Sequence, residues 1–151
     1  MMHLSWEEVD KMADDLAEKV GKSGFQPEYL VGITTGGLIP LGFLAKRLKI
    51  GSILIVSAKS YGADHAQKEL KVTRLPDVDL KGKKILLVDE IADTGMTLQK
   101  IREIFINRYE VGEIKTATLV VNKAKSAIIP DFYALAGTGE WIHFPWEPNK
   151  D

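Results

Sequence analysis

Apolar residues follow two alternating patterns along the chain. Unbroken or nearly unbroken apolar runs predict buried strands at residues 29–33, 53–58, 85–88, 116–121 and 131–135. Between these runs, apolar residues recur every three or four positions, which predicts helices over residues 9–20, 38–48 and 98–105. Because strands alternate with helices, we expect an α/β fold with a central, mostly parallel sheet flanked by helices.

The strand at residues 85–88 leads directly into charged residues. Asp89 and Glu90 follow it, and Asp93 and a turn containing Gly95 then lead to a helix. Carboxylates and free backbone N–H groups thus lie at the carboxyl end of a parallel strand, where open α/β sheets bind ligands. Adjacent carboxylates suit a diol or a hard divalent cation, and the turn suits a phosphate monoester. The pattern indicates a ribose phosphate with magnesium, although an acidic cap on an ordinary helix would give the same pattern.

Two other segments are candidates for ligand contacts. Gly36 and Gly37 follow the first core strand and would let the backbone approach an anion closely, but a βα turn without a ligand would look the same. Polar residues dominate positions 59–69, and the alternation at 70–75 predicts an exposed strand. We expect the polar segment to be a lid or the tip of a hairpin.

Composition narrows the class of protein. The 151 residues suit one domain, and the net charge of −1 argues against a broad nucleic-acid surface. The absence of cysteine excludes disulfides and thiolate chemistry, and the three histidines lack metal-ligand spacing. The N-terminus does not resemble a signal peptide, and no apolar run approaches the roughly 18 residues of a membrane span. A cytoplasmic protein without membrane insertion is therefore expected.

Several motifs together resemble a known family. Residues 88–97 resemble the phosphoribosyl-diphosphate signature of type I phosphoribosyltransferases. The most similar branch is that of the 6-oxopurine enzymes of the xanthine–guanine kind. The features shared with that branch are the glycine turn and proline at 36–40, Ser60 and Tyr61 before Glu-Leu-Lys-Val at 69–72, Lys123, and the Trp-Ile-x-x-Pro-Trp-acid tail at 141–147.

The resemblance implies an organisation and a reaction. One domain, residues 1–151, would comprise a core at about 25–122, a lid at about 59–71, and a purine-binding hood formed by about 123–151 with the N-terminal helix. The enzyme would transfer phosphoribose from phosphoribosyl diphosphate to N9 of guanine, xanthine or hypoxanthine, with Mg²⁺ as cofactor. It would act in purine salvage on small molecules, with no nucleic-acid partner, as a homodimer or homotetramer.

One set of residues would bind phosphoribosyl diphosphate: Thr35, Gly36, Gly37, Asp89, Glu90, Asp93, Thr94, Gly95, Met96 and Thr97. According to the resemblance, Asp89 and Glu90 hold ribose hydroxyls and Mg²⁺, and residues 94–97 hold the 5′-phosphate. The turn at 35–37 binds pyrophosphate through backbone amides, and a cis peptide bond is frequent there in the family. Asp93 faces N7 of the purine and handles its proton.

A second set would contact the base or the reacting centre. Ser60 and Tyr61 would close over the reaction as part of the lid. Lys123 would donate to the exocyclic O6 of the purine. Trp141 would stack on the base, and Ile142 would contact its 2-position through the backbone.

Three residues depart from the branch, and two rival functions stay open. Glu90 stands where an aspartate is usual, Thr35 where a basic residue is usual, and His143 where some members have an acid. Without the basic residue, a regulatory protein that senses nucleotides or phosphoribosyl diphosphate is an alternative. A phosphoribosyltransferase for a non-purine base is another, against which Lys123 and Trp141 argue.

Overall fold

A computed structural model describes residues 1–61 and 69–149, and for residues 60 and 61 it describes the backbone only. The described helices are α1 (Trp6–Ser23), α2 (Leu38–Leu48) and α3 (Met96–Asn107). The described strands are β1 (Met2–His3), β2 (Tyr29–Thr34), β3 (Ile53–Tyr61), β4 (Glu69–Arg74), β5 (Lys84–Ala92), β6 (Glu113–Val121), β7 (Phe132–Ala136) and β8 (Ile142–His143).

The main sheet has six strands in the order β4-β3-β2-β5-β6-β7. All neighbouring pairs are parallel except β3 and β4, which are antiparallel. The predicted α/β fold with a mostly parallel sheet is therefore confirmed. From β2 the chain proceeds outward to β3, and from β5 it proceeds outward in the opposite direction to β6. The carboxyl ends of β2 and β5 thus meet where the strand order reverses, which is where such sheets form a ligand crevice.

The core lies on both faces of this sheet. In β5, Leu86 and Val88 join the cluster that faces α1 and α2, whereas Ile85 and Leu87 join the cluster that includes α3. All four side chains are 0% exposed. The continuous apolar run predicts this burial because successive side chains of a strand point to opposite faces, and here both faces are covered.

Helix α1 begins at a capping box. Ser5 Oγ accepts from the backbone N–H of Glu8 at 3.0 Å, and the backbone N–H of Ser5 donates to the Glu8 carboxylate at 3.2 Å. The helix ends at Gly24, whose φ of +79° is a left-handed conformation that glycine adopts easily. These local signals set the helix that covers one face of the sheet.

The C-terminal tail is attached to the N-terminus of the chain. Strands β1 and β8 pair in parallel, and backbone bonds join Met2 N–H to the Trp141 carbonyl and Leu4 N–H to the His143 carbonyl, both at 2.9 Å. This small sheet holds the tail beside the start of α1. The predicted lid coincides with the ends of β3 and β4, and its residues 62–68 lie outside the described residues. Among the described helices, none is long and apolar enough to cross a membrane.

Candidate functional site

The carboxyl end of β5 carries two adjacent carboxylates. Asp89 Oδ1 accepts a hydrogen bond from the backbone N–H of Glu90 at 2.8 Å. Burial raises the pKa of Asp89 to about 8, and the neighbouring Glu90 carboxylate adds to the increase. Burial also raises the pKa of Glu90, against the effect of a hydrogen bond from Trp146. Within the described residues, no lysine or arginine forms an ion pair with either carboxylate, so the pair is poised to receive a cation or hydroxyl donors.

The turn after β5 opens helix α3. Gly95 is the residue before the helix and has a φ of +79°. A Cβ at this position would lie 2.5 Å from Ser126 Oγ and 2.8 Å from Ile128 Cγ2, so only glycine fits. The helix begins at Met96, two residues before the start of the helix predicted at residues 98–105. The backbone N–H of Met96 donates to Thr94 Oγ1 at 3.3 Å, and the N–H groups that follow it in the first turn are available to an anion.

A pocket of about 210 Å³ lies over this turn. Its lining residues are Asp89, Glu90, Ile91, Ala92, Asp93, Thr94, Gly95, Thr97 and Leu98. One wall consists of carboxylates and the other of a helix N-terminus, which carries partial positive charge. The pocket thus combines acceptors for hydroxyl groups with donors for a phosphate.

The glycine turn after β2 packs directly against β5. A Cβ on Gly37 would lie 2.6 Å from the Ile33 carbonyl oxygen and 2.7 Å from the Val88 carbonyl oxygen. A Cβ on Gly36 would collide with the side chain of Glu90. The peptide bond between Thr34 and Thr35 is cis. The absence of side chains on the two glycines therefore brings the backbone of this turn against the acidic pair.

A second pocket, of about 390 Å³, adjoins the first. The two pockets share Glu90, Ile91 and Asp93. The remaining lining residues of the second pocket are Asn122, Lys125, Gly139, Glu140, Trp141, Ile142, Phe144 and Glu147. The side chain of Trp141 is 64% exposed, which leaves an aromatic surface open to a planar ligand.

Asp93 lies at the boundary between the pockets, and both of its carboxylate oxygens are engaged. Asn122 Nδ2 donates to Oδ1 at 3.2 Å, and Lys125 Nζ lies 3.0 Å from Oδ2. The backbone N–H of Ala127 donates to the Thr94 carbonyl at 2.7 Å, which ties the loop after β6 to the turn after β5. This loop therefore orients Asp93.

Comparison with protein families identifies the family to which the fold belongs. The model of the phosphoribosyl transferase domain matches residues 5–151. The chain belongs to this family. Among its curated relatives is the xanthine-guanine phosphoribosyltransferase of Idiomarina loihiensis, 27% identical over 144 residues that cover 95% of this chain and 85% of the relative. The enzyme of the same name from a Ruegeria species is 28% identical and is covered to 84% of its length, against 96% of this chain.

Solved phosphoribosyltransferase structures share the whole fold. The crystal structure of a purine phosphoribosyltransferase from Pyrococcus horikoshii Ot3 is 32% identical, with a TM-score of 0.87 and coverage of 99% of this chain and 96% of that one. The xanthine-guanine-hypoxanthine phosphoribosyltransferase of Helicobacter pylori is 28% identical, with a TM-score of 0.85 and coverage of 97% and 93%. Both matches support the xanthine–guanine and hypoxanthine branch that the motifs indicated.

Most of the residues that the motifs single out as phosphoribosyltransferase residues lie around the two pockets. Trp141 and Ile142 line the second pocket, and the turn at residues 35–37 contacts Glu90. Lys123 lies elsewhere: its Nζ is 4.9 Å from the centroid of the Tyr133 ring. The side chains of residues 60 and 61 lie outside the described part of the chain.

Three described residues that are hydrogen-bonded to the acids of the site were given no role from the sequence. Asn122 and Lys125 flank Lys123, and a polar run directly after a core strand was the only signal that could have indicated them. Trp146 belongs to the tail motif, but its hydrogen bond to Glu90, at 3.1 Å, joins positions 56 residues apart. Such a contact depends on where the tail lies against the sheet, so it could not be predicted from the sequence pattern.

Proposed function

We propose that this protein transfers phosphoribose from phosphoribosyl diphosphate to N9 of a 6-oxopurine and releases pyrophosphate. The observation that supports it best is the pair of adjoining pockets that share Glu90 and Asp93. One offers carboxylates and a helix N-terminus, which suit a ribose phosphate, and the other offers an exposed tryptophan, which suits a purine.

The residues of the acidic pair fit Mg²⁺. Within the described residues, no cluster of three or more histidine, cysteine, aspartate or glutamate side chains could enclose a metal ion. Asp89 and Glu90 instead offer two carboxylates that have no cationic partner in the described part of the chain. Mg²⁺ keeps several waters and is commonly bound by one or two carboxylates together with substrate phosphates. We propose that Asp89 and Glu90 hold this ion, directly or through water; when bound, it neutralises charge on the departing pyrophosphate.

The remaining contacts to phosphoribosyl diphosphate follow from the two turns. The backbone N–H groups of residues 94–97 and the hydroxyls of Thr94 and Thr97 hold the 5′-phosphate. The backbone amides of residues 35–37 hold the pyrophosphate, since the glycines let the ligand approach closely. Asp89 and Glu90 accept hydrogen bonds from the ribose hydroxyls.

The base occupies the second pocket. Trp141 stacks on the purine, and the backbone of Ile142 contacts its 2-position. Asp93 faces N7 and handles its proton, while Lys125 holds the Asp93 carboxylate in place from 3.0 Å. Lys123 leaves the ring of Tyr133 and donates to O6 when a base binds. Residues 60 and 61 belong to a lid that excludes water from the sugar.

This arrangement needs no protein nucleophile. Displacement of pyrophosphate at C1 of the ribose creates positive charge on the sugar and negative charge on the leaving group. Catalysis then consists of orienting the base against C1 and stabilising the separated charges. The absence of cysteine from the chain is compatible with this mechanism, which uses no thiolate nucleophile.

The test is a substrate panel. Guanine, hypoxanthine, xanthine, adenine and uracil are each incubated with phosphoribosyl diphosphate and Mg²⁺, and nucleotide formation is followed by chromatography. We expect products from 6-oxopurines only. If no base gives a nucleotide while phosphoribosyl diphosphate still binds, the protein is a sensor rather than an enzyme. Preference for adenine or uracil would refute the assignment of Lys123 to O6.

The family resemblance also supports proposals about the cellular location and the oligomeric state. We infer that the enzyme works in the cytoplasm and assembles as a homodimer or homotetramer. Light scattering on purified protein measures the assembly directly. A monomer at assay concentration would contradict the second proposal and leave the reaction unaffected.

A further inference from the structure

The side chain of Glu90 lies between the two pockets and is in contact with two other segments of the chain. It lines both pockets, it lies over Gly36 so closely that a Cβ there would collide with it, and its Oε2 accepts a hydrogen bond from Trp146 Nε1 at 3.1 Å. Glu90, which lines the first pocket, is thus hydrogen-bonded to the C-terminal tail, which also lines the second pocket.

Trp146 is itself held rigidly. Its ring stacks on Phe144 with a centroid distance of 4.8 Å and an interplanar angle of 11°. It also packs against the ring of Trp6, the first residue of α1, with the ring centroids 5.9 Å apart. Phe144 is only 2% exposed, and the pairing of β1 with β8 anchors the same segment. The indole N–H is therefore a preorganised donor rather than the end of a mobile side chain.

The length of Glu90 is what allows this bond. The Glu90 carboxylate lies against Gly36 through Cδ and Oε1, and its other oxygen, Oε2, accepts from the indole. An aspartate has one methylene less, so from the same backbone position its carboxylate would fall short of Trp146. The glutamate at this position and the tryptophan of the tail therefore form one structural unit.

We propose that Trp146 is a positioning residue that orients the Glu90 carboxylate for phosphoribosyl diphosphate. This inference rests on the proposed function. The same tail that supplies Trp141 and Ile142 to the base pocket also sets the direction of an acid in the sugar pocket. Trp146 then affects the binding of phosphoribosyl diphosphate through Glu90 and makes no contact with the substrate itself.

The experiment is a double-mutant cycle with Trp146→Phe and Glu90→Asp. Trp146→Phe keeps a ring for stacking and removes the N–H donor. Glu90→Asp keeps the negative charge but shortens the side chain, so that its carboxylate no longer reaches the indole N–H. Trp6→Phe is the matched control, because Trp6 belongs to the same aromatic cluster and no described hydrogen bond joins it to Glu90. The dissociation constant of phosphoribosyl diphosphate with Mg²⁺ is measured by calorimetry, and KM and kcat are measured separately.

We expect Trp146→Phe and Glu90→Asp each to weaken phosphoribosyl diphosphate binding about tenfold, as expected for a lost hydrogen bond to a charged group. The double variant should be no weaker than either single variant, because both remove the same interaction. KM for phosphoribosyl diphosphate should rise with the dissociation constant while kcat changes less than about threefold. Trp6→Phe should bind like the unaltered protein. Additive losses in the double variant, or unchanged binding by Trp146→Phe, would overturn the proposal.

A second measurement applies even if a Trp146 variant fails to fold. The chain has three tryptophans, so its ¹H–¹⁵N spectrum contains three indole signals. In ligand-free protein, Glu90→Asp should shift the Trp146 indole signal strongly and the other two weakly. Equal shifts of all three, or no shift, would overturn the proposal. If the unaltered protein fails to bind phosphoribosyl diphosphate, the proposed function fails; if it binds and only the cycle is additive, the role of Trp146 alone is refuted.

Discussion

Replacement of Gly95 by alanine tests whether the turn after β5 is as closely packed as the structure indicates. Gly95 has a φ of +79°, and so does Gly24 at the end of α1. A Cβ at Gly24 would meet nothing within 4 Å, whereas at Gly95 it would lie 2.5 Å from Ser126 Oγ and 3.0 Å from the Ile128 backbone nitrogen. Gly24→Ala is therefore a matched control that has the same backbone strain without the steric contact.

The expected magnitudes differ between the two variants. The left-handed conformation costs an alanine about 1–2 kcal/mol at either position. At Gly95 the Ser126 hydroxyl must also move and lose its 2.6 Å bond to the Ile128 carbonyl, which costs about 1 kcal/mol. Overpacking against the backbone of Ile128 adds about 1 kcal/mol or more. Gly95→Ala should therefore destabilise the fold by about 2 kcal/mol more than Gly24→Ala.

Thermal and chemical denaturation measure this difference. For a chain of this size, about 2 kcal/mol corresponds to a Tm that is lower by roughly 4–8 °C. Gly95→Ala should also weaken binding of phosphoribosyl diphosphate, because the displaced loop carries Lys125 and is bonded to Thr94. Gly24→Ala should leave binding unchanged. Equal destabilisation by the two substitutions would refute the close packing of residues 126–128 on the turn.

Three further predictions concern the chemistry of the site. Lys123→Met should raise KM for the 6-oxopurine about tenfold, whereas Lys125→Met should mainly lower kcat because the Asp93 carboxylate loses its ion pair. Steady-state kinetics measure both variants, and the reverse pattern would exchange the roles of the two lysines. Asp93→Asn should lower kcat by at least about tenfold and change the calorimetric affinity for phosphoribosyl diphosphate less than threefold; equal losses would make Asp93 a binding residue. Chelation of Mg²⁺ should abolish calorimetric binding of phosphoribosyl diphosphate, and Asp89→Asn should weaken it in the presence of Mg²⁺; unaltered binding without the ion would refute the role of the acidic pair.

Local patterns were sufficient to predict the strand and turn that line the first pocket. The apolar run at residues 85–88 could only be a core element, and Asp89 and Glu90 follow it without a break. Because the strand, the acids and the turn are contiguous, one stretch of sequence contains most of the first pocket. The same applies to the glycine turn, in which small residues lie between a strand and a helix.

The second pocket could not be predicted from local patterns, because its walls come from distant segments. Asp93 is bonded to Asn122 and Lys125 only because the loop after β6 folds back over the turn after β5. Glu90 is bonded to Trp146 only because the pairing of β1 with β8 brings the tail to that position. The first contact depends on the pairing of β5 with β6 and the second on the pairing of β1 with β8, and the motif resemblance identified the residues of the tail without their partners.

We expect the choice among 6-oxopurines to depend on the charge around the second pocket. The ring of His143 packs against His3, with centroids 5.1 Å apart, while Glu140 and Glu147 line the pocket. With Glu90 and Asp93, four carboxylates line this pocket, and Lys125 is the lysine among the described lining residues. Carboxylates accept from the 2-amino group of guanine and repel the 2-oxo group of xanthine, so we expect kcat/KM for guanine to exceed that for xanthine at least tenfold. Glu147→Gln should narrow this ratio with little change for hypoxanthine, which has no 2-substituent. Equal efficiency with guanine and xanthine in the unaltered enzyme would contradict this electrostatic account of specificity.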